Sequence, residues 1–143
     1  MSKLYDEIQI NTDGGSRNNP GPAAIGVVAK SDNQEIFTIS KKIGTNTNNV
    51  AEYQAVISAL EEYQLQDISS LNLKFVLDSE LVVKQITGLY KIKQPHLQLL
   101  KNRIDILIKT LKEDQKIKSL TFINVLREQN KEADRLVNLA LDS

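Results

Sequence analysis

Ile8-Gln9-Ile10-Asn11-Thr12-Asp13-Gly14-Gly15 alternates apolar and polar side chains and then breaks on two glycines. A period of two is the pattern of a half-buried strand, with Ile8 and Ile10 on one face and Gln9, Asn11 and Asp13 on the other. The strand delivers one carboxylate, and the glycines behind it are expected to let the backbone turn sharply. An Asp at such a place has an ordinary use, bonding the backbone two residues on to start a turn. Its companions decide whether it does chemistry.

Working outward, Ser16 to Pro22 is a polar loop rich in breakers, and Ala23 to Ala29 and Glu35 to Ile43 read as two strands around a hairpin turn at Ser31 to Gln34. The first three strands form an antiparallel meander. From Val50 the period changes: Val50, Tyr53, Val56, Ile57 and Leu60 form a helical stripe that runs to about Tyr63, and Glu52 falls on its buried face. Leu71, Leu73, Phe75 and Leu77 alternate as a fourth strand ending at Asp78, and a helix over Glu80 to Ile86 follows with Thr87-Gly88 as its stop. Pro95 opens a longer helix with the stripe Leu97, Leu100, Ile104, Leu107, Ile108 and Leu111. Lys118 to Val125 is a fifth strand, and a last helix buries Ala133, Leu136, Val137, Ala140 and Leu141, with Asp134 in its first turn. The order strand, strand, strand, helix, strand, helix, helix, strand, helix predicts an α/β domain whose five-stranded mixed sheet carries helices on both faces.

The 143 residues suit one domain, 1–143, large enough for a real core. Eighteen basic and eighteen acidic side chains cancel, so no long-range field draws the molecule to a polyanion or a membrane, and any such binding must be local. The absence of cysteine removes disulfides and thiolate chemistry. No run approaches membrane-spanning length and the first residues lack a signal-peptide core, so the expected location is the cytoplasm, with no membrane partner. The one histidine, His96, reads as a solvated residue at a helix start. Metal chemistry would therefore rest on carboxylates, which suit hard ions such as Mg²⁺ or Mn²⁺.

Each of four acids has a structural use of its own. Asp13 can start a turn, Glu52 can close a capping box with Asn49, Asp78 can cap the helix that follows it, and Asp134 can favour a helix dipole. All four, however, lie at a strand end or in a first helical turn, where ligands bind in α/β sheets. If the first and fourth strands are parallel neighbours, Asp13 and Asp78 share one end of the sheet and the helix from Asn49 brings Glu52 to them. Carboxylates that close raise one another's pKa, and two divalent cations would supply the missing counter-charge.

Four stretches carry a family resemblance: Asn11 to Ser16 with Asn19-Pro20-Gly21-Pro22, Thr47 to Ala55, Asp78 to Val83, and Arg127 to Leu136. In order and spacing the chain resembles the type 1 ribonuclease H family, in its shorter archaeal-type and bacterial form without the basic protrusion. The resemblance implies a ribonuclease H-like fold and an endoribonuclease that hydrolyses the RNA strand of RNA/DNA hybrids with two Mg²⁺ or Mn²⁺ ions, leaving 5′-phosphate and 3′-hydroxyl ends. It assigns Asp13, Glu52, Asp78 and Asp134 as catalytic, metal-holding acids. It points to Gly14, Gly15, Ser16, Asn19, Thr47, Asn48 and Asn49 for substrate contact, the asparagines in the two flanking loops suiting the 2′-hydroxyls of a shallow groove. The family's loop histidine has no counterpart, which leaves Arg127 or Glu128 as auxiliary residues. With no tryptophan, and only Lys91 and Lys93 between Leu89 and Gln94, the grip on the DNA strand is expected to be weak and salt-sensitive, and double-stranded RNA stays open as a secondary substrate. A monomer is expected. The rival reading is a catalytically silent nucleic-acid-binding module on the same fold; a proofreading-type exonuclease is disfavoured because Gly15 stands where that class has a second acid.

Overall fold

Strand β1, Lys3–Ser16, is the middle strand of the sheet in the computed structural model, which describes residues 3–143. It is followed by β2 (Gly21–Ser31), β3 (Gln34–Asn46), α1 (Asn48–Leu65), β4 (Ile68–Leu77), α2 (Glu80–Ile86), α3 (Pro95–Glu113), β5 (Ile117–Asn124), a 3₁₀ turn (Arg127–Gln129) and α4 (Lys131–Leu141). The spatial order is β3-β2-β1-β4-β5, with β1, β2 and β3 antiparallel in turn and β4 parallel to both β1 and β5. The meander, the parallel pairing of the first and fourth strands and the element order agree with the expectation from sequence. Among the described residues no helix is long and apolar enough to cross a membrane.

The β2–β3 hairpin closes through Asp32 and Asn33, both at positive φ (49° and 65°), the geometry that a two-residue turn matched to strand twist requires. Pro95 starts α3 at the position where a missing N–H costs nothing. The main core lies on one face of the sheet, where Ile8 and Ile10 of β1 and Leu73, Phe75 and Leu77 of β4 pack against Tyr53, Val56 and Leu60 of α1 and Leu97, Ile104 and Leu111 of α3. On the other face α4 lies across β1, β2 and β3, with a small cluster of Ala24, Val137 and Ala140. Tyr53 donates a buried hydrogen bond to Gln85 Oε1 (2.7 Å), tying α1 to α2.

Three local expectations are corrected. Gly14 and Gly15 do not turn the chain: β1 runs straight through them to Ser16. A Cβ on Gly14 would lie 2.2 Å from the Ala51 carbonyl carbon and oxygen, so this glycine is where the α1 backbone rests on the strand. Leu71 does not share the core face with Leu73; it is 46% exposed. The inward positions step by three, from Ser70 to Leu73 in β4, from Tyr5 to Ile8 in β1 and from Ile117 to Leu120 in β5, and because the three neighbours step together their register is kept. The caps also differ. Thr47 caps α1 by accepting from Val50 N–H (3.2 Å), and Ser79 caps α2 by accepting from Val82 N–H (3.2 Å), which leaves Glu52 and Asp78 free of capping duty.

Candidate active site

The parallel register pairs Asn11 with Val76, so Asp13 and Asp78 emerge side by side two residues further along, Asp78 just past the end of β4 but Asp13 still inside β1, which continues to Ser16 rather than ending at the acid as expected. Two helices bring the other acids. Glu52 lies in the second turn of α1, and the contact of that helix with Gly14 lets its Oε1 accept the Gly14 N–H at 2.7 Å. Asp134 arrives because α4 sits equally close on the opposite face: Gly26, the β2 partner of Asp13, has no Cβ to collide with Ala133 O, which would lie 2.1 Å away. Carboxylate oxygens of Asp13, Glu52 and Asp78 lie within 4.8 Å of one another. The four acids line one open cleft of about 450 Å³ with Gly15, Ser16, Asn48, Asn49 and Arg127.

Burial and mutual repulsion dominate the electrostatics. Asp13 is pushed up to about 7, first by burial, then by the charges of Asp78 and Asp134 and a hydrogen bond to Asp134. Burial also drives Glu52 well above the usual carboxylate range, with the charges of Asp13 and Asp78 adding to it and the Gly14 N–H opposing it. Asp78 is raised by burial, against which a hydrogen bond from Asn130 and the charge of Arg127 favour the ionised form. Such a group of acids, held close and partly starved of water, is a poor structural element and a good donor set for a hard divalent cation.

The residues expected to contact substrate fall into two groups, and of them only Asn19 lies in a loop, Gly15 and Ser16 ending β1 and Thr47, Asn48 and Asn49 opening α1. Gly15, Ser16, Asn48 and Asn49 face the cleft, and a Cβ on Gly15 would meet nothing closer than 3.8 Å, so only here does a missing side chain leave room for a ligand. Asn19 and Thr47 instead hold the loop to the helix: Asn19 Oδ1 accepts from Asn48 N–H (3.0 Å), Asn48 Oδ1 accepts from Ser16 N–H (2.8 Å), and Thr47 is the cap. The 3₁₀ turn separates the two auxiliary candidates. Arg127 Nη2 lies 3.4 Å from Asp134 Oδ1, whereas Glu128 lines a different cleft with Gln9 and Lys30. Sequence reasoning passed over Gly26, whose signal was a glycine inside an apolar strand, and Asn130, whose signal was a polar residue just before a helix.

Comparisons with known proteins agree with this geometry. Residues 11–140 match the family described as "Reverse transcriptase-like". The chain is 40% identical over 131 residues to Ribonuclease HI of Halobacterium salinarum, covering 91% of this chain and 62% of that one. It is 35% identical over 139 residues to the Bifunctional protein Rv2228c of Mycobacterium tuberculosis, covering 96% of this chain but only 36% of that protein, so it spans little more than a third of the first curated relatives it matches. LC11-RNase H1, solved in complex with an RNA/DNA hybrid, superposes with a TM-score of 0.85 at 41% identity over 94% of this chain and 96% of that one. With its sheet order, its four converging carboxylates and these relatives, the chain belongs to the type 1 ribonuclease H family.

Proposed function

We propose that this protein is an endoribonuclease that hydrolyses the RNA strand of RNA/DNA hybrids, giving 5′-phosphate and 3′-hydroxyl products. The observation that carries the reading is the convergence of Asp13, Glu52, Asp78 and Asp134 on one open cleft. A silent binding module does not account for it, since four acids facing a polyanion would oppose binding unless a cation sits between them. Two Mg²⁺ or Mn²⁺ ions held by these acids would supply that counter-charge, an activated water at neutral pH and stabilisation of the leaving 3′ oxygen. By likeness to the family, Asp13, Glu52, Asp78 and Asp134 would hold these ions, Asp134 toward the attacking water and Glu52 and Asp78 toward the leaving group.

The chain's own residues do the positioning. Gly15 leaves the approach to the acids open, and Ser16, Asn48 and Asn49 offer short polar groups for 2′-hydroxyl and phosphate contact along the RNA strand. Arg127 orients Asp134 and adds positive charge where the phosphate enters. Arg127→Ala is expected to lower kcat about tenfold, as loss of an orienting partner of a metal ligand does, while Glu128→Gln leaves both kcat and the pH profile unchanged. Steady-state kinetics of the two variants, side by side, check the assignment. We take the protein to act as a monomer in the cytoplasm.

The test is a panel of three labelled duplexes, an RNA/DNA hybrid, a double-stranded RNA and a DNA duplex, each with Mg²⁺, Mn²⁺ or chelator. The expected result is metal-dependent cleavage of the hybrid, slower cleavage of double-stranded RNA and an untouched DNA duplex. Metal-dependent cleavage of the DNA duplex, or none of the hybrid, would contradict the reading.

A further inference from the structure

Asn130 stands at the N-cap of α4, yet its side chain makes no capping bond. An Asn in that position ordinarily accepts from a first-turn N–H, as Thr47 and Ser79 do for their helices. Here the amide is turned into the protein and is 1% exposed. Its Nδ2 donates to Thr12 O at 2.9 Å, its Oδ1 accepts from Asn11 Nδ2 at 3.0 Å, and the amide lies close enough to the Asp78 carboxylate to favour its ionised form. Asn11 Oδ1 accepts in turn from Gln9 Nε2 at 2.9 Å. The Asn130 carbonyl accepts from Asp134 N–H at 3.2 Å. One buried residue thus touches the residue before Asp13 and the Asp78 side chain through its amide, and the turn that carries Asp134 through its backbone carbonyl.

Gln9 and Asn11 lie outside the carboxylate cleft, in a separate polar cleft shared with Lys30 and Asn33. A planar amide has a donor side and an acceptor side, and turning it over exchanges them. The donor side of Asn130 is engaged at Thr12 and Asp78. Its oxygen would be a buried acceptor without a partner were it not for Asn11, and a buried group in that state is free to rotate toward any donor that relieves it. We propose that Asn11 is a positioning residue: by holding the oxygen of Asn130 it keeps the NH₂ of that amide on Asp78, and so fixes the orientation in which Asp78 meets a divalent cation. Gln9 extends the chain by holding the oxygen of Asn11. The proposal rests on reading the four acids as metal ligands.

The test compares wild type with Asn11→Leu, which removes the donor at similar size, and Asn11→His, whose Nδ1 is as many bonds from the backbone as the lost Nδ2. Mn²⁺ binding to the free protein is followed by calorimetry, the Asn130 side-chain NH₂ by nitrogen-15 NMR, and hybrid cleavage by steady-state kinetics. Asn11→Leu is expected to bind Mn²⁺ about tenfold more weakly, to shift the Asn130 resonance and to lose kcat in similar measure, with KM for the hybrid within about twofold of wild type. Asn11→His is expected to restore all three. A lower melting temperature with Mn²⁺ affinity and kcat unchanged would make Asn11 a mere brace and overturn the proposal, as would a raised KM at constant kcat. Should Asn11→Leu fail to fold, Gln9→Leu reads the same quantities one link further out; a smaller shift in the same direction is expected, and no shift overturns the proposal. Because Mn²⁺ binding and the amide resonance are read without substrate, a wild type that binds the ion but leaves the hybrid intact refutes the activity alone.

Discussion

Asp13→Asn is expected to lower metal-dependent cleavage about a thousandfold or more, roughly 4 kcal/mol of barrier, while making the metal-free protein more stable at neutral pH and above. The first effect follows from losing an anionic ligand for the cations, the second from the electrostatics of the site. Burial and the neighbouring charges raise the Asp13 pKa from 3.8 to about 7, so the folded protein holds a proton that the unfolded chain releases between those values. Stability therefore falls as pH rises through that window, and the whole penalty stands above about pH 7. A neutral amide removes it, for a gain of roughly 2–4 kcal/mol near pH 8 and almost none near pH 4. Urea unfolding in chelator at the two pH values, wild type against variant, measures the difference. An equal effect at both would show that Asp13 is not held protonated in the fold. Glu52 and Asp78, raised by burial in the same way, add to the same pH slope in the wild type.

Gly14→Ala is expected to cost about 3 kcal/mol or more of stability and most of the activity. The new methyl would lie 2.2 Å from the Ala51 carbonyl and 2.6 Å from Glu52 N, all of them helix backbone that cannot rotate away. Helix α1 must lift from β1, and as it lifts the Gly14 N–H loses Glu52 Oε1. Gly15→Ala is the control, because its methyl meets only Val137 Cγ1 at 3.8 Å and Asn48 Oδ1 at 3.9 Å, ordinary contact distances. Its stability should stay within about 0.5 kcal/mol of wild type. Denaturation midpoints of the two variants decide the matter, and equal midpoints would mean that α1 does not rest on Gly14.

What the sequence disclosed about this molecule followed local periodicity. Period-two alternation in β1 and the 3.6-residue stripes of α1 and α3 are written in single segments, and element order then limits the sheet topologies that short, right-handed connections allow. The four acids were legible for a related reason: Asp13 and Asp78 come together once β1 and β4 are parallel neighbours, although Asp13 lies inside β1 and Glu52 in the second turn of α1 rather than at the element ends that their spacing suggested. Contacts between distant segments were not legible. Gly14 and Gly15 look alike as letters, yet one is a seat for a helix and the other an opening in the cleft, and only the packing of α1 distinguishes them. The exposure of Leu71 depends on a step shared by three strands, which no one strand records. Nothing in the residues around Asn130 marks it for the site, because its inward turn is set by Asn11 and Thr12, more than a hundred positions away in the chain.

The proposed activity of the carboxylate cleft is to cut RNA when RNA is paired with DNA. It is tested most directly by incubating the wild-type protein and Mg²⁺ with a hybrid labelled at the 5′ end of its RNA strand, then analysing the ends of the fragments. The expected result is a ladder of RNA fragments ending in 3′-hydroxyl, an intact DNA strand, and no cleavage in chelator. Fragments ending in 2′,3′-cyclic phosphate that form equally well in chelator, or an RNA strand left whole in Mg²⁺ and in Mn²⁺, would contradict it.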